Sequence, residues 1–100
     1  MEGLKFDNGK LRWDLIPMEC VEEVVKVLTF GAKKYEANNW QKVENAEDRY
    51  YAALLRHIVA HRKGETIDPE SGLMHLSHVA CNAVFLLYFE LLKTKNDGTN

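Results

Sequence analysis

Two helical patterns, each with a pair of histidines on one face, are separated by a short segment that suits neither helix. This punctuation constrains the chain more than any other feature. The pairs are His57-x-x-x-His61 and His75-x-x-His78, and they hold all four histidines of the 100-residue sequence. Spacings of four and three put each pair on one side of its helix. Between them runs Gly64-Glu65-Thr66-Ile67-Asp68-Pro69-Glu70, acidic and turn-like. If the two helices fold back on each other about this turn, imidazoles and carboxylates from both converge on one point, as a metal site or a proton-transfer site requires.

The rest of the pattern is also helical. Pro17 suits the first position of a helix, with Glu19, Glu22 and Glu23 near its positive end and Met18, Val21, Val25 and Leu28 at helical spacing. Gly31 is expected to stop or bend it. Ala32 to Val43 reads as a polar connector rich in Lys, Asn and aromatic side chains. Asn45 reads as the cap of a second helix, with Glu47 and Asp48 in its first turn and an end near Lys63. Asp68 and Pro69 read as the N-cap and first residue of a third helix, Glu70 to about Leu92. Its C-terminal half is apolar all round, which marks it as the central helix. Leu4 to Ile16 mixes charged and apolar residues around Asp7-Asn8-Gly9 and reads as an extended arm or short hairpin that packs over something else. No internal repeat and no strand alternation strong enough for a sheet is present. The expected fold is all-α, a compact three- to four-helix bundle with an N-terminal extended arm. It forms one domain over residues 1–100, with 1–16 as the arm and 94–100 as a frayed tail.

With 46% hydrophobic and 28% charged residues, the chain has material for one core and not for two. A formal charge of -2 gives no reason to expect nonspecific nucleic-acid binding. Cys20 and Cys81 sit in apolar helical patterns without the close spacing of a redox or zinc motif, and read as buried free thiols in a reducing cytoplasm. The N-terminus has no apolar signal core, and Val79 to Phe89 is too short and too interrupted by Cys81 and Asn82 to span a bilayer. The expectation is a cytoplasmic protein that binds no membrane. A helical domain this small often completes its core or site across a dimer interface, so a homo-oligomer is expected.

Each chemical candidate has a plainer reading beside it. A single helical histidine is usually a packed or surface residue. Four histidines flanking Asp68 and Glu70, with Asn82 one turn further along the face of His75 and His78, instead suggest a shared polar site. Asp68 also has a local role as an N-cap, and Glu70 as first-turn compensation of the helix dipole. Arg56, next to His57, suits a phosphate bidentately. Glu19-x-x-Glu22 places two carboxylates on one face, as in magnesium or manganese sites, with Glu23 one step round. Glu22 and Lys26 are equally spaced for an ordinary salt bridge. In the connector, Lys33, Lys34, Tyr35, Asn38, Asn39 and Trp40 combine ammonium groups, amides and aromatic faces that can cradle phosphates and stack a base. Trp40 serves equally well as a hydrophobic plug.

These residues carry a resemblance. The ordered series Lys5-Phe6-Asp7-x-Gly9-Lys10-Leu11-Arg12-x-Asp14-Leu15-Ile16-Pro17, Gly31-Ala32-Lys33-Lys34-Tyr35, Asn39-Trp40, Leu55-Arg56-His57, Gly64-Glu65 and Asp68-x-Glu70-Ser71-Gly72-x-x-His75-x-x-His78 resembles the phage-associated N-terminal domain family of dATP/dGTP diphosphohydrolases. It covers Lys5 to about Phe89. The resemblance implies a small helical domain related to MazG-like nucleotide pyrophosphohydrolases, metal-dependent enzymes that cut a nucleoside triphosphate to its monophosphate and pyrophosphate. Those enzymes hold metal with Glu-x-x-Glu on one helix and Glu-x-x-Asp on the next. Here His75-x-x-His78 stands at the later place, and the one literal Glu-x-x-Asp, Glu65 to Asp68, lies in the turn.

The expected function is therefore a metal-dependent purine (deoxy)nucleoside triphosphate pyrophosphohydrolase, acting in the cytoplasm of a phage-infected bacterium. The alternative is a non-catalytic module that sequesters a nucleotide or a nucleotide-derived signal. The expected metal set is His57, Asp68, Glu70, His75 and His78, holding magnesium or manganese, with zinc or iron as further possibilities. Glu70 and His57 are the expected catalytic groups. Lys10, Lys33, Lys34, Tyr35, Asn39, Trp40 and Arg56 are the expected substrate-binding groups.

Overall fold

In the computed structural model, which describes residues 3–96, three helices account for the architecture. They are α1 (Met18–Lys34), α2 (Ala46–Arg62) and α3 (His75–Asn96). Short 3-10 turns occur at Trp13–Leu15 and Asn39–Gln41. The nearest approach to a sheet among the described residues is an isolated antiparallel bridge between Ile67 and Met74. The chain is an all-α helical bundle.

Several boundaries differ from the sequence expectation. Gly31 does not stop α1. Its carbonyl accepts the Tyr35 N–H at 2.9 Å, and Lys33 and Lys34 complement the negative end of the helix beyond it. Asn45 precedes α2 in a left-handed conformation (φ 56°, ψ 38°) and makes no side-chain cap bond; only its carbonyl joins the helix, accepting from Arg49 N–H at 3.1 Å. The far end of α2 stops as expected. Gly64 takes φ +102°, and Glu65 N–H reaches back to the Ala60 carbonyl at 3.0 Å, a glycine-dependent helix stop.

The start of α3 is the largest correction. It begins at His75 and not at Glu70. Residues 66–75 form a tight loop instead, in which Asp68 N–H donates to the Leu73 carbonyl at 2.8 Å and His75 N–H to the Thr66 carbonyl at 2.9 Å. Asp68 caps this loop and not the helix, since its Oδ2 accepts the Ser71 N–H at 3.1 Å. At the other end α3 runs on to Asn96, so 94–96 are helical. Residues 97–100 lie outside the described residues.

As expected, α3 is central and packs against both α1 and α2. The core is small: Val27, Cys81 and Phe85, with Val24, Leu28, Trp40, Tyr50 and Leu73 around them. Trp40 stacks on Phe85 (4.3 Å, 16°) and meets Tyr88 and Phe89 edge-on at 4.9 and 5.9 Å. Tyr50 Oη donates to its carbonyl at 2.9 Å. Aromatic contacts of this kind contribute roughly 0.5–1.5 kcal/mol each beyond area burial, so Trp40 pins the connector to the bundle as a plug. Cys81 is fully buried, whereas Cys20 is exposed, so only one of the two thiols is a core residue. Lys26 pairs with Glu23 at 2.7 Å and not with Glu22.

The arm makes a turn at Asp7–Lys10 and no hairpin among the described residues. Among the described residues its large apolar side chains are left open: Leu4, Phe6, Leu11, Trp13 and Leu15 are all exposed. The whole of α3 is longer than the Val79–Phe89 run and is long and apolar enough to cross a membrane by length and composition. It nevertheless buries His75, Ser77, His78 and Asn82 against its neighbours, as the core helix of a polar site does.

Candidate active site

The loop between α2 and α3 turns the two helices against each other, and the histidine-bearing faces meet. His57 Nδ1 lies 2.8 Å from His75 Nδ1. The His57 ring also stacks on His78 at 4.4 Å and 9°. On its far side His75 places Nε2 at 2.6 Å from Glu65 Oε1. An ionised carboxylate only accepts, so this bond assigns the neutral His75 proton to Nε2 and leaves a lone pair on Nδ1. His57 then donates from its own Nδ1. His75 is almost completely buried, so the pair lies in a low-dielectric junction between α2 and α3.

Asp68 is organised by Ser71. Its Oδ2 accepts both the Ser71 N–H (3.1 Å) and the Ser71 hydroxyl (2.8 Å). Ser71 Oγ also lies 2.6 Å from His78 Nε2. Because the single hydroxyl proton goes to Asp68, His78 donates from Nε2 and keeps its lone pair on Nδ1. Asp68 Oδ1 is left without a partner among the described residues. The ligand atoms of His57, Asp68 and His75 all lie within 4.8 Å of one another.

Electrostatics favour neutral imidazoles beside an ionised carboxylate. Burial, reinforced by His78, pushes the His57 pKa down. Burial lowers His78 as well, against the pull of Asp68. Burial works to raise Asp68, but the Ser71 hydrogen bonds and the adjacent histidines outweigh it and hold the carboxyl below its ordinary range. Buried Cys81, behind the site, is pushed up to about 12 by desolvation and stays an inert thiol.

The cluster opens onto a cavity of about 760 Å³. Of the expected substrate-binding residues, Lys34, Tyr35, Asn39, Trp40 and Arg56 line it. Lys33 lies outside this lining, and Lys10 is on the exposed arm. Of the expected metal set, His57, Asp68, Glu70 and His78 border the cavity, with His75 behind His57. Glu70 is held by Lys34 at 2.6 Å, and this pair raises the Lys34 pKa. His61, one turn beyond His57 on α2, is not among the clustered donors. Neither Glu19 nor Glu22 joins a donor cluster among the described residues. Glu23 instead accepts the Ser77 hydroxyl at 2.8 Å, tying α1 to α3.

Three residues of the site were not singled out for these roles from sequence. Glu65 and Ser71 orient the histidines and Asp68, and only the folded loop reveals this. Arg49 joins Arg56 on the cavity wall; its spacing of seven residues on one helix was the available signal. Asn82, expected on the face of His75 and His78, lies with His78 on the cavity wall and donates from Nδ2 to the His78 carbonyl at 2.8 Å.

Comparison with known proteins adds a family. The family model described as dATP/dGTP diphosphohydrolase, N-terminal, matches residues 1–99. A Salmonella phage PMBT28 protein named dATP/dGTP diphosphohydrolase is 39% identical over 90 residues, which are 88% of this chain and 30% of that protein. The chain thus spans less than a third of the length of that relative. No solved structure matches.

Proposed function

The chain belongs to the dATP/dGTP diphosphohydrolase N-terminal family, and we propose that its cavity binds a purine (deoxy)nucleoside triphosphate and hydrolyses it to the monophosphate and pyrophosphate. The observation that carries this reading is the shared cavity, where Lys34, Arg49 and Arg56 stand on the same walls as the donors His57 and Asp68. Guanidinium and ammonium groups suit phosphate oxygens. A catalytic cation beside them is what phosphoryl transfer uses.

The donor set fits such a cation. His57, Asp68 and His75 would hold it, two imidazoles and a carboxylate that suit manganese, iron or zinc better than calcium; magnesium remains the ion that the MazG-like resemblance implies. Glu65 behind His75 supplies the outer carboxylate that orients a ligating histidine. When bound, a divalent ion supplies positive charge to phosphoryl oxygens and acidifies water. Arg49 and Arg56 hold the phosphates, and Tyr35 offers an exposed ring to the base. Glu70, held at the cavity rim by Lys34, accepts the proton of the attacking water. His78 completes the wall as the residue that, through Ser71, fixes Asp68.

A second reading is that the domain binds a nucleotide without cutting it. It is favoured by one fact: the match covers only 30% of the phage relative, so that protein's chemistry can reside outside the matched part. A phage relative and a nucleotide ligand both support a cytoplasmic place of action in an infected bacterium. The two readings separate when purified protein is incubated with dATP or dGTP and added magnesium or manganese, with products resolved by anion exchange. Monophosphate and pyrophosphate in equal amounts support hydrolysis at the α-phosphoryl group. Intact nucleotide together with calorimetric binding supports sequestration, and free orthophosphate indicates a phosphatase.

A further inference from the structure

Helices α2 and α3 lie side by side as a layer, with the cavity and α1 on one of its faces. Arg49, Ala53, Arg56 and His57 of α2 and His78, Asn82 and Phe85 of α3 look that way. At 3.6 residues per turn, the opposite face carries Tyr51, Leu55 and Ile58 from α2, and Leu76, Ala83 and Leu87 from α3. Of these, Tyr51, Leu55, Leu76 and Leu87 are 57%, 42%, 46% and 58% exposed. A helix that is apolar all round is expected to be covered all round, and the side of α3 turned away from α1 and the cavity is open.

From this we infer that the open α2–α3 face is a two-fold interface with a second copy of this chain. Three observations point to that occupant. First, there is area to spare. A folded chain of 11.5 kDa exposes roughly 5,800 Å², and this one exposes 8092 Å²; part of the excess is the arm, yet a stable dimer needs only about 800 Å² per partner. Second, the charges are self-complementary. Exposed Asp48 and Glu90 flank the face near the start of α2 and the end of α3, where Glu47 and Lys93 pair, and exposed Arg62 lies at the other end of α2. A two-fold axis through the middle of the face sets Arg62 of each copy against the acids of the other. Third, the small Ala83 beside Leu76 and Leu87 leaves room for a side chain from the opposing helix. Lipid is a poorer occupant, because Asp48, Arg62 and Glu90 would enter the bilayer with the apolar side chains. The inference does not rest on the chemistry of the cavity.

Sedimentation equilibrium of the full chain over a concentration series tests it. The expected mass is twice 11.5 kDa, falling to the single-chain mass for Leu87→Lys with the helical circular dichroism kept. Arg62→Glu should weaken the dimer, and adding Glu90→Arg should strengthen it again. The charge pair lies at exposed positions, so it still decides if Leu87→Lys does not fold. A single-chain mass at every concentration overturns the interface, as does a dimer that survives Leu87→Lys. Failure of the charge swap to restore association overturns the two-fold arrangement. A chain that is monomeric in buffer but sediments with phosphatidylglycerol vesicles assigns the face to lipid and overturns the proposal.

Discussion

His57 of α2 and His75 of α3 face each other through their Nδ1 atoms at 2.8 Å, and two nitrogens at that distance share one proton. Glu65 holds the His75 proton on Nε2, so the shared proton belongs to His57. A divalent cation bound by both nitrogens sends that proton to Nε2 of His57, because imidazole ligates in its neutral form. Calorimetric titration with manganese or zinc at about pH 7.5, in buffers of different ionisation enthalpy, should therefore show little net proton release, rising as pH falls below about 6.5. Release of about one proton per ion at about pH 7.5 would show that the donors are not the neutral imidazoles of this junction.

Substitution of His75 should separate metal binding from folding less cleanly than substitution of an exposed ligand. His75→Ala is expected to abolish metal retention and to cost about 1–3 kcal/mol of stability, since His57 loses a buried partner. Glu65 is half-exposed, so Glu65→Gln should leave the denaturation midpoint nearly unchanged while weakening metal affinity by about 10–100-fold. Equal metal affinity in Glu65→Gln and the wild type would remove Glu65 from the site.

Two of the cavity cations, Lys34 and Arg56, differ in their surroundings, and the phosphate reading predicts different effects. Lys34 is already paired with Glu70, whereas Arg56 has no ion-pair partner among the described residues. Arg56→Ala should therefore weaken triphosphate binding more than Lys34→Ala, with little change in binding of the matching nucleoside. Glu70→Gln should tighten triphosphate binding by freeing Lys34, yet lower kcat if Glu70 accepts the proton. Equal losses for triphosphate and nucleoside would assign the cations to the solvated surface.

The metal-free protein should lose stability on mild acidification. His57 and His78 have folded pKa values below the ordinary value, so the unfolded chain binds more protons as pH falls below about 6.5. Their contribution is complete above that pH and is lost progressively below it, with Asp68 adding a further loss below the ordinary carboxyl range. Urea midpoints between pH 7.5 and 5 should fall for the wild type and fall less for His57→Gln. A flat profile would show that these imidazoles are protonated as easily when folded as when unfolded.

How much of this was legible in the sequence depends on which interactions fix each element. The span of α2 and the fold-back at Gly64 rest on local backbone rules, and the histidine faces then meet as their spacing implies. Asp68 was misread because a capping side chain looks the same before a helix and before a tight loop; the Ile67–Met74 bridge decided the matter, and it is a pairing no propensity announces. Gly31 failed as a stop because its φ is not positive and the helix simply continues. The division of labour among Asp68, Glu70, His75 and His78 depends on Ser71, Lys34 and Glu65, partners visible only once the loop is folded.

Manganese titration followed by proton relaxation of the histidine ring signals tests the central claim most directly, because paramagnetic broadening reports distance from the ion. The ring resonances of His57 and His75 should broaden first, at substoichiometric manganese, with His61 persisting longer and with His75→Ala abolishing the effect on His57. Broadening that begins at the amides of Glu19 and Glu22 while the His57 and His75 rings stay sharp would contradict the histidine site and move the metal to α1.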